Sequence, residues 1–296
     1  MRPFRAVVLA GLLVACASSP VGAAPPVRSC TGAPAPARYD HVVWIFMENH
    51  HKGDVIGSRS APFATAAAAG CATAADYRHV GRPSLPNYLG ATSGSTFGIG
   101  DDAAPSRHVL TADNLFRQVR RAGGQARTYA EAMPGACGLS STSKYAVKHN
   151  PAAYYQGADD RAACRRDVLP LGTPAQGSLA TDLATGSLAR FTVVVPDICN
   201  DTHDCPVATG DRWLEQWVSA VTASSTFAQG RTALFVVWDE PTPMPFLAVA
   251  PSIRPGTVVG AAVDHYALLR TTEELLGLPF LGTARTAPSM RAPLHL

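Results

Sequence analysis

His41-Val42-Val43-Trp44-Ile45-Phe46-Met47 is an apolar run, followed at once by Glu48 and Asn49. A short continuous apolar run reads as a strand buried on both faces, as in a parallel sheet. Glu48 and Asn49 then stand at its C-terminal end. The pattern recurs downstream, where Thr232-Ala233-Leu234-Phe235-Val236-Val237-Trp238 delivers Asp239 and Glu240. Open α/β sheets bind ligands outside the carboxyl ends of their strands. Carboxylate and amide oxygens at two such ends suit one divalent metal ion. Either pair alone reads equally well as the start of an ordinary loop.

Working outward, Phe191–Val195 and residues 246–250 are further apolar runs, and Ala126–Ala130 is a weaker one. Helical periodicity appears over residues 62–69, 112–122, 211–224 and 266–276. Strands alternating with helices predict a three-layer α/β/α sandwich around a mostly parallel sheet. The length of 296 residues, with no linker in the middle, fits one domain over residues 39–296. Residues 132–170 are irregular and read as an excursion over the sheet edge.

The N-terminus reads as an export signal. Arg2 and Arg5 precede the apolar residues 6–15, too few to span a bilayer as a helix. Two processing readings stay open. Val21-Gly22-Ala23 fits ordinary cleavage, making residues 1–23 a signal peptide and releasing the protein. Leu13-Val14-Ala15-Cys16 fits a lipobox, which would anchor the chain to a membrane through a lipidated Cys16. Residues 24–38 are rich in Pro and Ala and read as a tether. Outside the leader stand Cys30, Cys71, Cys137, Cys164, Cys199 and Cys205. An even number in an exported chain suggests disulfides. Proximity along the chain suggests Cys30–Cys71, Cys137–Cys164 and Cys199–Cys205. Only the last has a local argument, since a short loop closes at little entropic cost.

Hydrophobic residues at 47% supply a sizeable core, and the formal charge of +3 includes the two leader arginines. That balance gives no case for nucleic-acid binding. Lysine occurs only at Lys52, Lys144 and Lys148, so arginine is the default cation of this chain.

Three further segments carry candidate chemistry. In Arg82-Pro83-Ser84-Leu85-Pro86-Asn87-Tyr88 the prolines predict a loop turning into a helix near Ser84. Ser84 there is either a helix cap or a nucleophile aimed at phosphorus, because helix N-termini favour anions. Asn87, one turn on, could donate to a phosphate oxygen. The loop from Pro196 to Cys205 holds His203 between Cys199 and Cys205. It reads as a rigid mount for a phosphate-binding histidine, as a zinc-like site, or as plain surface. Asp264-His265-Tyr266 precedes the last helix, and either Asp264 or His265 could simply cap it. His50, His51, His79, His108 and His149 show no evident partner.

Five blocks occur in order: Met47-Glu48-Asn49, Pro83-Ser84-Leu85-Pro86-Asn87-Tyr88, Asn200-Asp201-Thr202-His203-Asp204, Val237-Trp238-Asp239-Glu240 and Asp264-His265-Tyr266 with the helix after it. Together they resemble the secreted phosphoesterase family that includes bacterial acid phosphatases and phospholipases C, within the alkaline phosphatase superfamily. The likeness runs from Tyr39 to Pro279. It implies an alkaline phosphatase-like fold and an exported phosphomonoesterase. Glu48, Asn49, Ser84, Asp239 and Glu240 would hold one divalent metal ion of open identity. Ser84 would be the nucleophile, passing through a phosphoserine, with His203 as its catalytic partner. Arg82, Asn87, His203 and His265 would bind the substrate phosphate, with a phospholipid headgroup among the candidate substrates.

The sequence departs from the family pattern at two points. Arg82 stands where relatives place His, and Pro241-Thr242-Pro243-Met244-Pro245 shortens the loop after Glu240. A phospholipase C-type phosphodiesterase and an inactive surface lipoprotein are the alternatives. A Ser-His-Asp hydrolase fits poorly, because Ser84 lacks the Gly-x-Ser-x-Gly elbow.

Overall fold

The computed structural model describes Met1 and residues 29–296. The leader residues Arg2, Arg5 and Cys16, and both cleavage readings, lie outside the described residues. One sheet of eight strands runs through the molecule. Its strands are β1 (His41–Met47), β2 (Ala72–Arg78), β3 (Ala126–Ala130), β4 (Val168–Pro170), β5 (Phe191–Val195), β6 (Thr232–Trp238), β7 (Phe246–Val249) and β8 (Thr257–Asp264). Their order is β4-β3-β5-β1-β6-β7-β2-β8. Only β7 runs antiparallel to its neighbours; the remaining pairs are parallel.

The apolar runs of β1, β5 and β6 follow from their central place. Every residue of β5 and β6 is buried, as is all of β1 except His41. Burial of each large side chain stabilises by roughly 1.5–3 kcal/mol. Register then does the positioning. Met47 lies opposite Trp238, so Glu48 and Asp239 emerge side by side at the carboxyl edge.

The helices are α1 (Lys52–Val55), α2 (Pro62–Gly70), α3 (Ser84–Ser93), α4 (Leu115–Arg121), α5 (Asp160–Asp167), α6 (Ser178–Thr185), α7 (Val207–Thr222), α8 (Ser225–Ala228) and α9 (His265–Leu276). They form two packing groups. Helix α3 packs on α4 and α9, while α2 packs on α7, and α6 on α7 and α8. This is the expected α/β/α arrangement. Helix α9 starts where Asp264 accepts a hydrogen bond from the Ala267 N–H at 2.9 Å, an ordinary N-cap. Among the described residues, no helix is long and apolar enough to cross a membrane.

Three disulfides join Cys30 to Cys71, Cys137 to Cys164 and Cys199 to Cys205, the pairing that proximity suggested. The first changes the reading of the tether. Residues 29–38 do not hang free: Thr31 and Ala33 donate to the Pro251 carbonyl, and Gly32 donates to that of Ile253. The irregular stretch 132–170 also needs correction. It carries α5 and the edge strand β4, and its 3-10 turn Val147–His149 folds back over the carboxyl edge of the sheet.

Candidate active site

Ser84 is the first residue of α3, where the sequence predicts the helix to begin. Its hydroxyl donates to Glu48 Oε2 at 3.1 Å. One turn further on, the Tyr88 hydroxyl donates to Glu48 Oε1. Residues four apart share a helix face, so α3 presents two hydroxyls to one buried carboxylate. Asp239 Oδ1 accepts from the backbone N–H of Glu240 at 2.7 Å and of Asn49 at 3.2 Å. These bonds fix the carboxylate and leave its buried Oδ2 without a partner. Asn49 reaches this position with a φ of 54°, a left-handed conformation that asparagine tolerates better than most residues.

Asp201, from the loop after β5, joins the cluster. Its backbone carbonyl accepts from the Glu48 N–H at 2.8 Å. Burial, with the nearby charges of Asp239 and Asp201, pushes the Glu48 carboxyl well above the usual range. Burial likewise raises Asp239 and Asp201 to about 7 each. Among the described residues, no lysine or arginine forms an ion pair with these three carboxylates. The neighbour is His149, whose Nε2 lies 3.2 Å from Glu48 Oε1 and whose Nδ1 lies 3.2 Å from Asp201 Oδ2. Its ring stacks on Tyr88 with centroids 5.4 Å apart. Neither ring nitrogen makes a well-aimed hydrogen bond. Among the described residues, no three acidic, histidine or cysteine side chains already form a metal-binding cluster. The donor set nevertheless fits a divalent ion: buried oxygens, one of them unpartnered, beside a hydroxyl.

His203 sits on the loop closed by Cys199–Cys205, at the rim of this cluster. Its Nδ1 lies 2.6 Å from Asp204 Oδ1 and its backbone N–H donates to Asp201 Oδ1 at 2.8 Å. Its ring centroid is 6.2 Å from that of His149. The disulfide rules out the zinc-like reading, since neither sulfur is free to ligate. Thr202, between Asp201 and His203, has a φ of 80°. That is a strained value for a β-branched residue. Its hydroxyl donates to the Glu48 carbonyl at 2.8 Å, which helps hold the turn.

Two of the four expected phosphate contacts are engaged elsewhere. Asn87 is buried; its carbonyl oxygen accepts from the N–H groups of Val80 and Gly81, and its amide donates to Gly81 and Pro83. It ties the loop before α3 together and has no donor left for substrate. His265 is also buried. Its Nε2 is 3.1 Å from the Asp239 carbonyl and its Nδ1 is 3.0 Å from the Tyr77 hydroxyl. The carbonyl can only accept, so Nε2 carries the proton and Nδ1 accepts from Tyr77. Burial lowers the His265 pKa to about 4, keeping the ring neutral. It positions the Asp239 backbone. Arg82 remains at the mouth, mostly exposed, with Nε 3.3 Å from Glu240 Oε2. Glu240 therefore faces a guanidinium as well as the cluster.

Three further neighbours complete the cluster without a role predicted from sequence: Asp201, Tyr88 and His149. Asp201 and Tyr88 lay inside quoted blocks. His149 carried no local signal, because its partners are distant in sequence. A fourth, Lys148, has its Nζ 3.5 Å from Ser84 Oγ.

The profile of the Phosphoesterase family matches residues 57–242. A phosphatidylinositol-3-phosphatase of Mycobacterium tuberculosis is 32% identical over 295 residues, covering 97% of this chain and 93% of that protein. The chain belongs to the phosphoesterase family. It is a hydrolase acting on phosphate esters. A phosphate-repressible acid phosphatase of Penicillium chrysogenum is 27% identical over 224 residues, covering 70% of this chain and 52% of that protein. In fold, the chain is similar to an alkaline phosphatase superfamily protein of Vibrio parahaemolyticus. The TM-score is 0.58 at 14% identity, over 90% of this chain and 74% of that one.

Proposed function

We propose that this phosphoesterase is an exported, metal-dependent phosphomonoesterase that works through a phosphoserine at Ser84. The observation that carries the reading is the meeting of Ser84 Oγ with Glu48 beside Asp239, at the carboxyl edge and at the start of α3. Glu48, Asn49, Ser84 and Asp239 would hold the ion, with Glu240 shared between it and Arg82. A bound divalent ion would lower the pKa of a coordinated hydroxyl and neutralise charge on phosphoryl oxygens.

The residues of the chain supply the rest. Ser84 Oγ attacks phosphorus in line with the ester oxygen. The Oγ–P bond forms as Oγ–H is lost, the P–O ester bond breaks, and the leaving oxygen gains a proton and departs as the alcohol. Water then cleaves the phosphoserine, releasing inorganic phosphate and restoring Ser84. His203, mounted on its disulfide-closed loop, would contact the phosphoryl oxygens or the leaving group. The mycobacterial relative, similar over nearly the whole chain, favours a phosphoinositide headgroup as substrate. Three disulfides favour an oxidising, extracytoplasmic compartment.

The test is hydrolysis of p-nitrophenyl phosphate beside bis-p-nitrophenyl phosphate by wild type and Ser84→Ala, with EDTA and a panel of divalent ions. Monoester turnover lost with EDTA and with Ser84→Ala supports the reading. A fully active Ser84→Ala protein overturns the nucleophile, and turnover of the diester alone overturns the monoesterase.

A further inference from the structure

A phosphoryl group arriving at Ser84 brings negative charge into a site already crowded with carboxylates. Neither Asn87 nor His265 has a donor to offer it, and Arg82 leans on Glu240 at the mouth. One cation does reach the serine. The Lys148 ammonium lies 3.5 Å from Ser84 Oγ and donates to Asp102 Oδ2 at 2.9 Å. Asp102 is itself anchored, its Oδ1 accepting the Leu85 backbone N–H at 2.9 Å. One carboxylate thus clamps the first turn of α3 and the lysine together, so Ser84 and Lys148 keep their relative position.

Composition points the same way. Arginine is the default cation of this chain, yet a lysine stands here, one of three in 296 residues. A compact ammonium places a point charge where a planar guanidinium would need more room. Burial works against its charge, but the hydrogen bond and charge of Asp102, with the charges of Glu48 and Asp239, raise the Lys148 pKa above its ordinary value.

We propose that Lys148, held by Asp102, is the phosphoryl-binding cation of the site and contacts a non-bridging oxygen of the group transferred to Ser84. The inference rests on Ser84 being the nucleophile. Lys148 keeps its proton throughout; the Ser84 Oγ–H and ester P–O bonds break, the Oγ–P bond forms, and the proton lost from Ser84 is balanced by the one the leaving alcohol gains. Asp102 is a positioning residue.

The experiment compares metal-supplemented full-length wild type, Ser84→Ala, Lys148→Met, Lys148→Gln, Lys148→Arg and Asp102→Asn. It measures kcat and KM on p-nitrophenyl phosphate, the inhibition constant of inorganic phosphate, and Tm. Lys148→Met is expected to lose about 10²–10³-fold in kcat/KM. The inhibition constant of phosphate should rise about ten- to a hundredfold, with Tm nearly unchanged. Lys148→Arg should recover at least about tenfold of the loss by restoring the charge, and Asp102→Asn should fall between. Lys148→Gln keeps a donor for Asp102 without the charge, so it carries the same prediction should the Met variant not fold. Wild-type kcat/KM and phosphate inhibition in Lys148→Met or Lys148→Gln, with Ser84→Ala inactive, overturn the lysine assignment alone. An active Ser84→Ala overturns the nucleophile on which it rests.

Discussion

Asp160 and Asp239 are both buried carboxylates in one domain, and their surroundings are opposite. Asp160 meets the guanidinium groups of Arg117 and Arg120, with the Asn114 amide completing its shell. Asp239 stands beside Glu48 and Asp201, with one oxygen bonded to backbone N–H groups and the other unpartnered. Isolated buried charge is expensive, and a protein normally neutralises it from its own chain. The first cluster is neutralised in that way and serves the fold. In the second, burial raises all three carboxyls above their ordinary range, and there the proposed divalent ion would supply the charge that the arginines supply to Asp160.

The sharpest way to break the comparison is to neutralise each carboxylate in turn. Asp239→Asn should lower kcat/KM by about a thousandfold. At pH 8 the metal-free variant should unfold at a higher temperature than metal-free wild type. The folded pKa of Asp239, about 7, lies above its ordinary value. Its contribution to stability is therefore full at low pH and lost as pH rises through about 7. The Tm gap between variant and wild type should close as pH falls through that range. Thermal melts across pH check this.

Asp160→Asn should do the reverse, costing about 3 kcal/mol of stability by removing the charge that pairs buried Arg117 and half-buried Arg120. Its kcat/KM should stay close to wild type; denaturant unfolding beside a kinetic assay separates the two effects. If Asp160→Asn abolished turnover at unchanged stability, the division of labour would be wrong.

A smaller effect is expected at Gly210 in α7. A Cβ there would sit 2.3 Å from Thr202 Cγ2 and 2.8 Å from the Asn200 carbonyl oxygen. Gly210→Ala must push away the loop carrying Asp201 and His203, at about 1–3 kcal/mol. Turnover should drop with it, whereas an alanine at exposed Gly53, which meets nothing within 4 Å, should leave both unchanged.

The smallest effect extends the comparison to Glu273 on α9, a buried carboxylate remote from the site. Burial raises its pKa from 4.5 to about 8, and Oε1 accepts the Leu281 N–H at 2.9 Å. Its contribution to stability is full below pH 4.5 and lost as pH climbs through about 8. Glu273→Gln should raise Tm by about a few degrees at pH 9 and change nothing at pH 4.

Both central strands were legible because β1 and β6 are covered on two faces and therefore read as unbroken apolar runs. Strand β2 was not, since alanines and exposed polar residues break its pattern. Strand β8 lies at the sheet edge, half exposed and interrupted by Gly260. Within the site, Glu48 and Asp239 were readable because each follows its strand directly, and register does the rest. Asn87 is spent on backbone groups of the loop just before it, which the motif does not announce, and His265 on the Asp239 carbonyl and the Tyr77 hydroxyl, both distant in sequence. Lys148 and His149 arrive on a turn without regular periodicity, so nothing local announces that it covers the site.

Whether the carboxylate cluster binds a divalent ion is read from the Tm of EDTA-stripped full-length protein titrated with Mg²⁺, Ca²⁺, Mn²⁺ or Zn²⁺. Wild type would be run beside Asp239→Asn and Asp160→Asn. A ligand that binds only the native state raises Tm with its concentration. Tm should rise with at least one ion for wild type and Asp160→Asn, and with none for Asp239→Asn. No shift with any ion, in a stripped wild type that still hydrolyses p-nitrophenyl phosphate at full rate, would contradict it.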